Sequence, residues 1–293
     1  MIGYILGNYL VRTGKMTKEQ LEESLRKMED SRAQLGALAV SEGLMTPAQA
    51  EDINLLQAAR DSYFGDLAVE EGYLTPEQLE YLMKKQGDPY LCCSKVLTQE
   101  GILTEKELET ALEEMRKAEG LTPEQLEDIK CGAVEKLLPD FLPEEAKEYE
   151  RLAGTVLRTV IRLADRNAYP GRGEMCDTFP QRRQVHQALV FDGGLVDCFA
   201  EEDGGLMELA GIFAQEEFTD LNEDVMDAAG EFLNCANGLY ISGMSRKGVF
   251  LELEMPSAEK TRQPLIPGSM CSIPVYVRGK SLRLVLAKIA EDT

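Results

Sequence analysis

Four residues in one stretch of the chain have types and spacing that could serve chemistry. Asp227, Glu231, Asn234 and Gly238 are separated by 4, 3 and 4 positions, which places them in one stripe along a single helix face. Two carboxylates and an amide aligned on one face present charge and hydrogen-bonding groups together. Val225, Ala229, Phe232, Ala236 and Leu239 form the opposite, core-facing stripe. A polar stripe opposite a clean apolar one is also what any surface helix shows. Asn237 lies at the edge of the polar stripe and ranks below Asn234.

Other candidate groups are sparse. Arg151, Arg158 and Arg162 recur at offsets of 7 and 11, so all three share one helix face; they either pair with the chain's own acidic surface or form a docking face for an acidic partner. The single histidine, His186, sits in a strand-like run and reads as a strand residue with a satisfied ring. The seven cysteines are Cys92, Cys93, Cys131, Cys176, Cys198, Cys235 and Cys271, with no C-x-x-C pair among them. That spacing fits reduced, mostly buried thiols and no metal site. No G-x4-G-K-[ST] phosphate loop occurs.

The elements that must position these residues change character along the chain. From Val185 apolar residues alternate as in strands: Val185–Phe191 and Leu195–Ala200 flank Asp192-Gly193-Gly194, a hairpin signal. Helical runs follow at Leu206 to Ala214 and Asn222 to Ser242. Val249, Leu251, Leu253 and Met255 alternate again, and two last strands, Cys271–Val277 and Ser281–Ala287, join at Arg278-Gly279-Lys280. A helix over Glu144 to Asn167 precedes them all. The layout is α+β with a largely antiparallel sheet and two long helices.

The first half has a different rhythm. Gly14-Lys15-Met16-Thr17, Gly43-Leu44-Met45-Thr46, Gly72-Tyr73-Leu74-Thr75 and Gly101-Ile102-Leu103-Thr104 recur with a constant step of 29, and Gly120-Leu121-Thr122 opens a truncated fifth copy. Each Thr begins a capping box with Gln20, Gln49, Gln78, Glu107 or Gln125, and Pro47, Pro76 and Pro123 occupy the first helical position. Each copy therefore reads as a short helix, a glycine turn and a longer helix, all-α, with neighbouring copies expected to stack. Pro139 and Pro143 end the rhythm, giving a helical repeat domain at 1–138, a linker at 139–145 and an α+β domain at 146–293.

The bulk numbers agree with two domains: 293 residues with a net charge of −21, divided as −11 over residues 1–130 and −10 over the rest. Such a balance works against nucleic acid as a partner. No apolar run approaches the ~18 residues of a membrane span, and Met1-Ile2-Gly3-Tyr4 lacks the basic region of a signal peptide, so a cytoplasmic location without membrane insertion is expected.

The repeats resemble the MshE/GspE N-terminal family of type II secretion and type IV pilus ATPases, most closely at residues 34–57 and 63–86. In some members of that family tandem copies bind cyclic di-GMP; here Ile5, Gln34, Tyr63 and Cys92 stand where the family has a ligand-binding Arg. The second half resembles the CheX/CheC/FliY chemotaxis phosphatases, whose signature is Asp or Ser-x3-Glu-x2-Asn and a later Pro. It reads here as Asp227-x3-Glu231-x2-Asn234 and, after 21 residues, Pro256, one short of the family spacing. One copy of the motif fits CheX better than CheC.

The second resemblance implies hydrolysis of the aspartyl phosphate of a response regulator such as CheY. Asn234 would enter beside the phosphoryl group and orient water for in-line attack, Glu231 would pair with the regulator's lysine, and Asp227 would support them. No cofactor is expected on this chain, because the regulator would carry the Mg²⁺. The partner is then a phosphorylated response regulator in chemotaxis, motility or pilus signalling, with the repeats addressing secretion or pilus machinery, and a homodimer is a further expectation. Two other readings stand beside it: a non-catalytic regulator-binding adaptor, and a cyclic di-GMP-responsive regulator acting through the repeats.

Overall fold

A computed structural model describes residues 1–31, 34–190, 194–258 and 265–290. The chain forms two compact units, Met1–Ala133 and Val134–Thr293. Among the described residues no helix is long and apolar enough to cross a membrane.

The first unit carries the repeats as helix pairs: α1 (Ile2–Arg12) with α2 (Lys18–Ser31), α3 (Leu35–Ser41) with α4 (Pro47–Ala59), α5 (Phe64–Glu70) with α6 (Pro76–Gln86), and α7 (Pro89–Gln99) with α8 (Glu105–Ala118). A ninth helix, α9 (Pro123–Cys131), belongs to the truncated copy. The helix starts coincide with those read from the capping boxes. Thr46, Thr75, Thr104 and Thr122 each close the box in both directions, and Thr17 and Gln20 exchange the same two bonds at 2.9 and 3.2 Å. The turn glycines Gly14, Gly43, Gly72, Gly101 and Gly120 have φ between +62° and +72°, a conformation that favours a residue without Cβ.

Among the described residues, successive stacking, expected from the repeat, is seen for the second copy with the third and for α7 of the fourth copy with α9 of the truncated one, but the first copy breaks the order. The second and third copies pack reciprocally, α3 on α6 and α4 on α5, around Ala39, Met45, Ile53, Leu67, Leu74 and Leu82. The first copy packs instead on the fourth, α1 against α7 and α8 and α2 against α7. Tyr9 and Lys15 reach Glu114 at 3.3 and 2.8 Å, and Lys27 pairs with Glu100 at 2.7 Å. The physical reason is closure: when the short helix of one copy covers the long helix of another and the reverse, both apolar stripes are already buried.

The second unit opens with α10 (Val134–Phe141), a 3₁₀ turn (Glu144–Tyr149) and α11 (Glu150–Leu163). The expected linker at 139–145 is thus partly helical, and the division of units falls earlier. Leu137, Leu138, Phe141 and Leu142 are all buried, which gives the segment a core-facing side despite its prolines. The expected helix over Glu144 to Asn167 stops at Leu163, because buried Asp165 accepts the Asn167 and Arg278 N–H groups, each at 2.8 Å, and turns the chain.

Among the described residues seven strands follow: β1 (Tyr169–Pro170), β2 (Glu174–Met175), β3 (Gln184–Val190), β4 (Leu195–Glu201), β5 (Glu252–Leu253), β6 (Cys271–Val277) and β7 (Lys280–Lys288), with α12 (Gly205–Ala214) and α13 (Glu223–Ser245) between β4 and β5. The order is β1-β6-β7-β4-β3-β5, with β2 also on β6, and every pairing is antiparallel. Asp192 and Gly193 of the hairpin signal lie outside the described residues. The strand expected over Val249–Met255 shrinks to two residues paired with Leu189 and Val190, leaving Phe250 and Met255 79% and 84% exposed. α13 packs on α11, α12 and β3, with Phe232 against Phe199 and Phe213 at centroid distances of 6.0 and 5.3 Å.

Candidate functional site

Asn222 caps α13 by accepting the Val225 N–H at 3.1 Å, and the helix then runs 23 residues across the sheet. Its buried arc is wider than the expected apolar stripe. Val225, Ala229, Phe232 and Ala236 are buried as anticipated, Leu239 only half so, and Met226, Gly230, Leu233, Asn237 and Tyr240 join them. What remains outward is narrow: Asp227, Glu231 and Cys235 are exposed and Asn234 is half-buried. Among the described residues, Asp227 and Glu231 make no hydrogen bond or ion pair, so both carboxylates face solvent uncommitted.

Asn234 is different, because it is held. Its Oδ1 accepts a hydrogen bond from Gln187 Nε2 at 2.7 Å, and the same nitrogen donates to the Glu254 carbonyl at 2.9 Å. Two residues further on, Pro256 lies over α13 at Gly230, where a Cβ would come within 3.1 Å of the proline ring. The signature proline therefore packs on the helix turn that carries Glu231, and the segment 254–256 forms one wall of the site. Met255, between those anchors, supplies an exposed apolar rim.

Beneath the surface Asn237 is fully buried and donates from Nδ2 to Gln187 Oε1 and to Asp197 Oδ1, each at 2.9 Å. Asp197 is inaccessible to solvent. Burial is the main cause that pushes its carboxyl up to about 7, opposed by the bonds from Asn237 and from its own backbone. Cys235, one turn beyond Glu231, has its thiol raised by partial burial and then by the Glu231 charge.

The other sequence candidates lie elsewhere. Arg151 donates to the Gly243 carbonyl at 3.3 Å and covers the Tyr240 ring at 5.9 Å, bracing α11 against α13. Arg158 and Arg162 each reach a threonine hydroxyl one turn back, Thr155 and Thr159, at 3.3 Å. Arg151 and Arg158 line a surface cavity of about 440 Å³ with Lys147 and Glu148. His186 is buried edge-on to Phe179 at 4.7 Å. Among the described residues no group of His, Cys, Asp or Glu is placed to hold a metal ion.

Sequence reasoning passed over Gln187 and Asp197 and ranked Asn237 as a bystander. A signal was present: Gln187 and Asp197 interrupt the apolar alternation of the two strands that flank the hairpin signal. Their antiparallel register sets them directly opposite one another.

No family model matches the chain, and no curated protein matches it. Among solved structures, the chemotaxis protein CheX from Vibrio vulnificus is similar at 15% identity, covering 47% of this chain and 96% of that one with a TM-score of 0.40. The CheX–CheY–BeF3–Mg²⁺ complex from Borrelia burgdorferi gives 15% identity, 48% and 97% coverage and a TM-score of 0.40. FliY from Thermotoga maritima gives 16% identity, 50% and 91% coverage and a TM-score of 0.37.

Proposed function

We propose that the unit beginning at Val134 binds a phosphorylated response regulator and hydrolyses its aspartyl phosphate. The observation that carries this reading is the Asn234 amide, fixed from below by Gln187 and set one helical turn from the uncommitted Glu231 carboxylate. An acyl phosphate is already activated, and the regulator would bring its own Mg²⁺ and lysine, so the contribution required of this chain is positional. Glu231 would pair with the regulator's lysine and set the register of α13 in the regulator's cleft. Asn234 would then lie beside the phosphoryl group, its N–H donors directed at a phosphoryl oxygen and at the attacking water, favouring in-line geometry and stabilising developing charge. Asp227, one turn earlier, would add a polar contact at the edge, and Met255 with the 254–256 wall would cover the other side. Arg151, committed to α13, would act as a brace within the unit rather than as the docking contact.

The test is phosphate release from response regulators of the same genome charged with acetyl phosphate, with the full chain and its Asn234→Ala variant. Wild-type protein should accelerate release by at least about tenfold, and Asn234→Ala should abolish the acceleration while binding and melting stay unchanged. Equal rates for the two proteins would overturn the reading. Retained binding without any acceleration by wild type would assign the adaptor role instead.

A further inference from the structure

The polar groups beneath Asn234 form one unbroken chain, and its direction can be worked out from a single fixed point. Gln187 and Asp197 stand opposite each other on β3 and β4 and face α13 with exposures of 1% and 0%. Asn237, also at 0%, bridges them from the helix. Three polar side chains in a core otherwise built of Phe199, Phe232, Leu233 and Leu286 are a costly choice, since apolar residues of the same volume would need no partners. Packing alone does not account for them.

The fixed point is the Glu254 carbonyl, which can only accept. The Gln187 atom 2.9 Å from it must therefore be the nitrogen, and the Gln187 oxygen must face Asn237. Asn237 consequently presents its Nδ2, whose two protons go to Gln187 and Asp197. The second proton of Gln187 Nε2 goes to Asn234, which has to offer Oδ1 inward. Its Nδ2 is then left pointing outward with both protons available. A main-chain carbonyl at the site wall thus determines which end of the surface amide meets a ligand.

We propose that Gln187, Asn237 and Asp197 are positioning residues that lock the Asn234 amide with its two N–H donors outward, beside Glu231, as an acyl phosphate oxygen and its attacking water require. This rests on the reading of Asn234 as the residue that orients the hydrolytic water. Gln187 is the hinge of the arrangement, because it joins the wall segment, the buried pair and Asn234. Asn237 fixes Gln187 in turn, and Asp197 consumes the remaining Asn237 proton so that the chain has one direction only.

The experiment uses the full-length chain with Gln187→Met, Asn237→Leu, Asn234→Ala and the double variant Gln187→Met/Asn234→Ala. Gln187→Met should lower kcat for phosphate release by about 10- to 100-fold with KM within about twofold, in protein shown by circular dichroism to be folded at the assay temperature. In the Asn234→Ala background the same substitution should have no further effect, because its only route to the reaction has been removed. Full activity in Gln187→Met and Asn237→Leu, or an equal loss in both backgrounds, would overturn the proposal. A wild type that releases no phosphate would instead sink the functional reading. The lock is then judged by exchange of the Gln187 and Asn237 side-chain amide protons in ¹⁵N-labelled protein: strong protection supports it and solvent-like exchange refutes it.

Discussion

Raising the pH through neutrality should weaken the second unit through one residue. Asp197 lies on β4 between Gln187 and Leu286 on the neighbouring strands, and its carboxyl is lifted from an ordinary 3.8 to about 7 by burial, with only Asn237 and its own backbone pulling the other way. Between these values the folded chain keeps a proton that the unfolded chain has released. Stability from this group is therefore present at low pH, declines as pH rises above the unfolded value, and is exhausted above about 7. At 1.36 kcal/mol per pKa unit, the loss between pH 5 and pH 8 is about 3 kcal/mol. Asp197→Asn removes the titration, keeps the shape and retains an acceptor oxygen for Asn237 Nδ2. Urea unfolding of both proteins at pH 5, 6, 7 and 8, followed by circular dichroism, isolates the effect as a difference. With a slope of about 2 kcal/mol/M the wild-type midpoint should fall relative to Asp197→Asn by about 1.5 M across that range. Parallel midpoints would refute the reasoning and place an ionised carboxylate at the end of the polar chain.

Gly205 begins α12 against the β7 backbone, where a Cβ would lie 2.2 Å from the Ser281 carbonyl carbon and 2.5 Å from Leu282 N. Gly205→Ala should cost about 3 kcal/mol and lower the melting temperature by about 10 °C, checked by calorimetry; a shift under about 2 °C would refute it. Thr75→Ala removes the acceptor for Gln78 N at 3.2 Å and should cost about 1 kcal/mol, seen as faster amide exchange over Pro76–Gln86 alone. Disulfide reagents should modify the exposed Cys131 and Cys235 under native conditions and spare buried Cys93, Cys198 and Cys271, whose thiols burial pushes upward. A bulky adduct on Cys235, one turn from Glu231, should block regulator binding, and unchanged binding would move the contact surface elsewhere.

The first half was legible wherever the controlling interaction is local. A capping box is closed within three residues and a positive-φ glycine within one turn, so the five helix starts that follow the turn glycines, at Lys18, Pro47, Pro76, Glu105 and Pro123, could be located from the Thr and its Gln or Glu partner. Which copies pair is not a local matter. The apolar stripes of all four copies are nearly interchangeable, and the choice of first with fourth rests on contacts such as Tyr9 to Glu114 and Lys27 to Glu100, separated by more than seventy residues. A period therefore specifies the unit but not its partner.

The site shows the same division at finer scale. Helical spacing brings Asp227, Glu231 and Asn234 to one face, and that much follows from counting. Asn237 sits three residues beyond Asn234, close enough in angle to look like a neighbour of the stripe. What separates them is the sheet: the β3–β4 register puts Gln187 opposite Asp197, and their polar atoms draw Asn237 inward while Gln187 catches Asn234 at the boundary. A charged residue within the apolar strand LVDCFAE is costly enough to need a reason, and the reason lies across two elements that sequence alone does not align. Had the register slipped by one residue, Gln187 would have faced the opposite side of the sheet. Asn234 would then be a free surface amide and Asn237 a buried one bonded to Asp197 alone. The orientation of the Asn234 amide is accordingly decided by strand pairing, and substitutions that disturb the β3–β4 register should impair the site even where α13 itself is untouched.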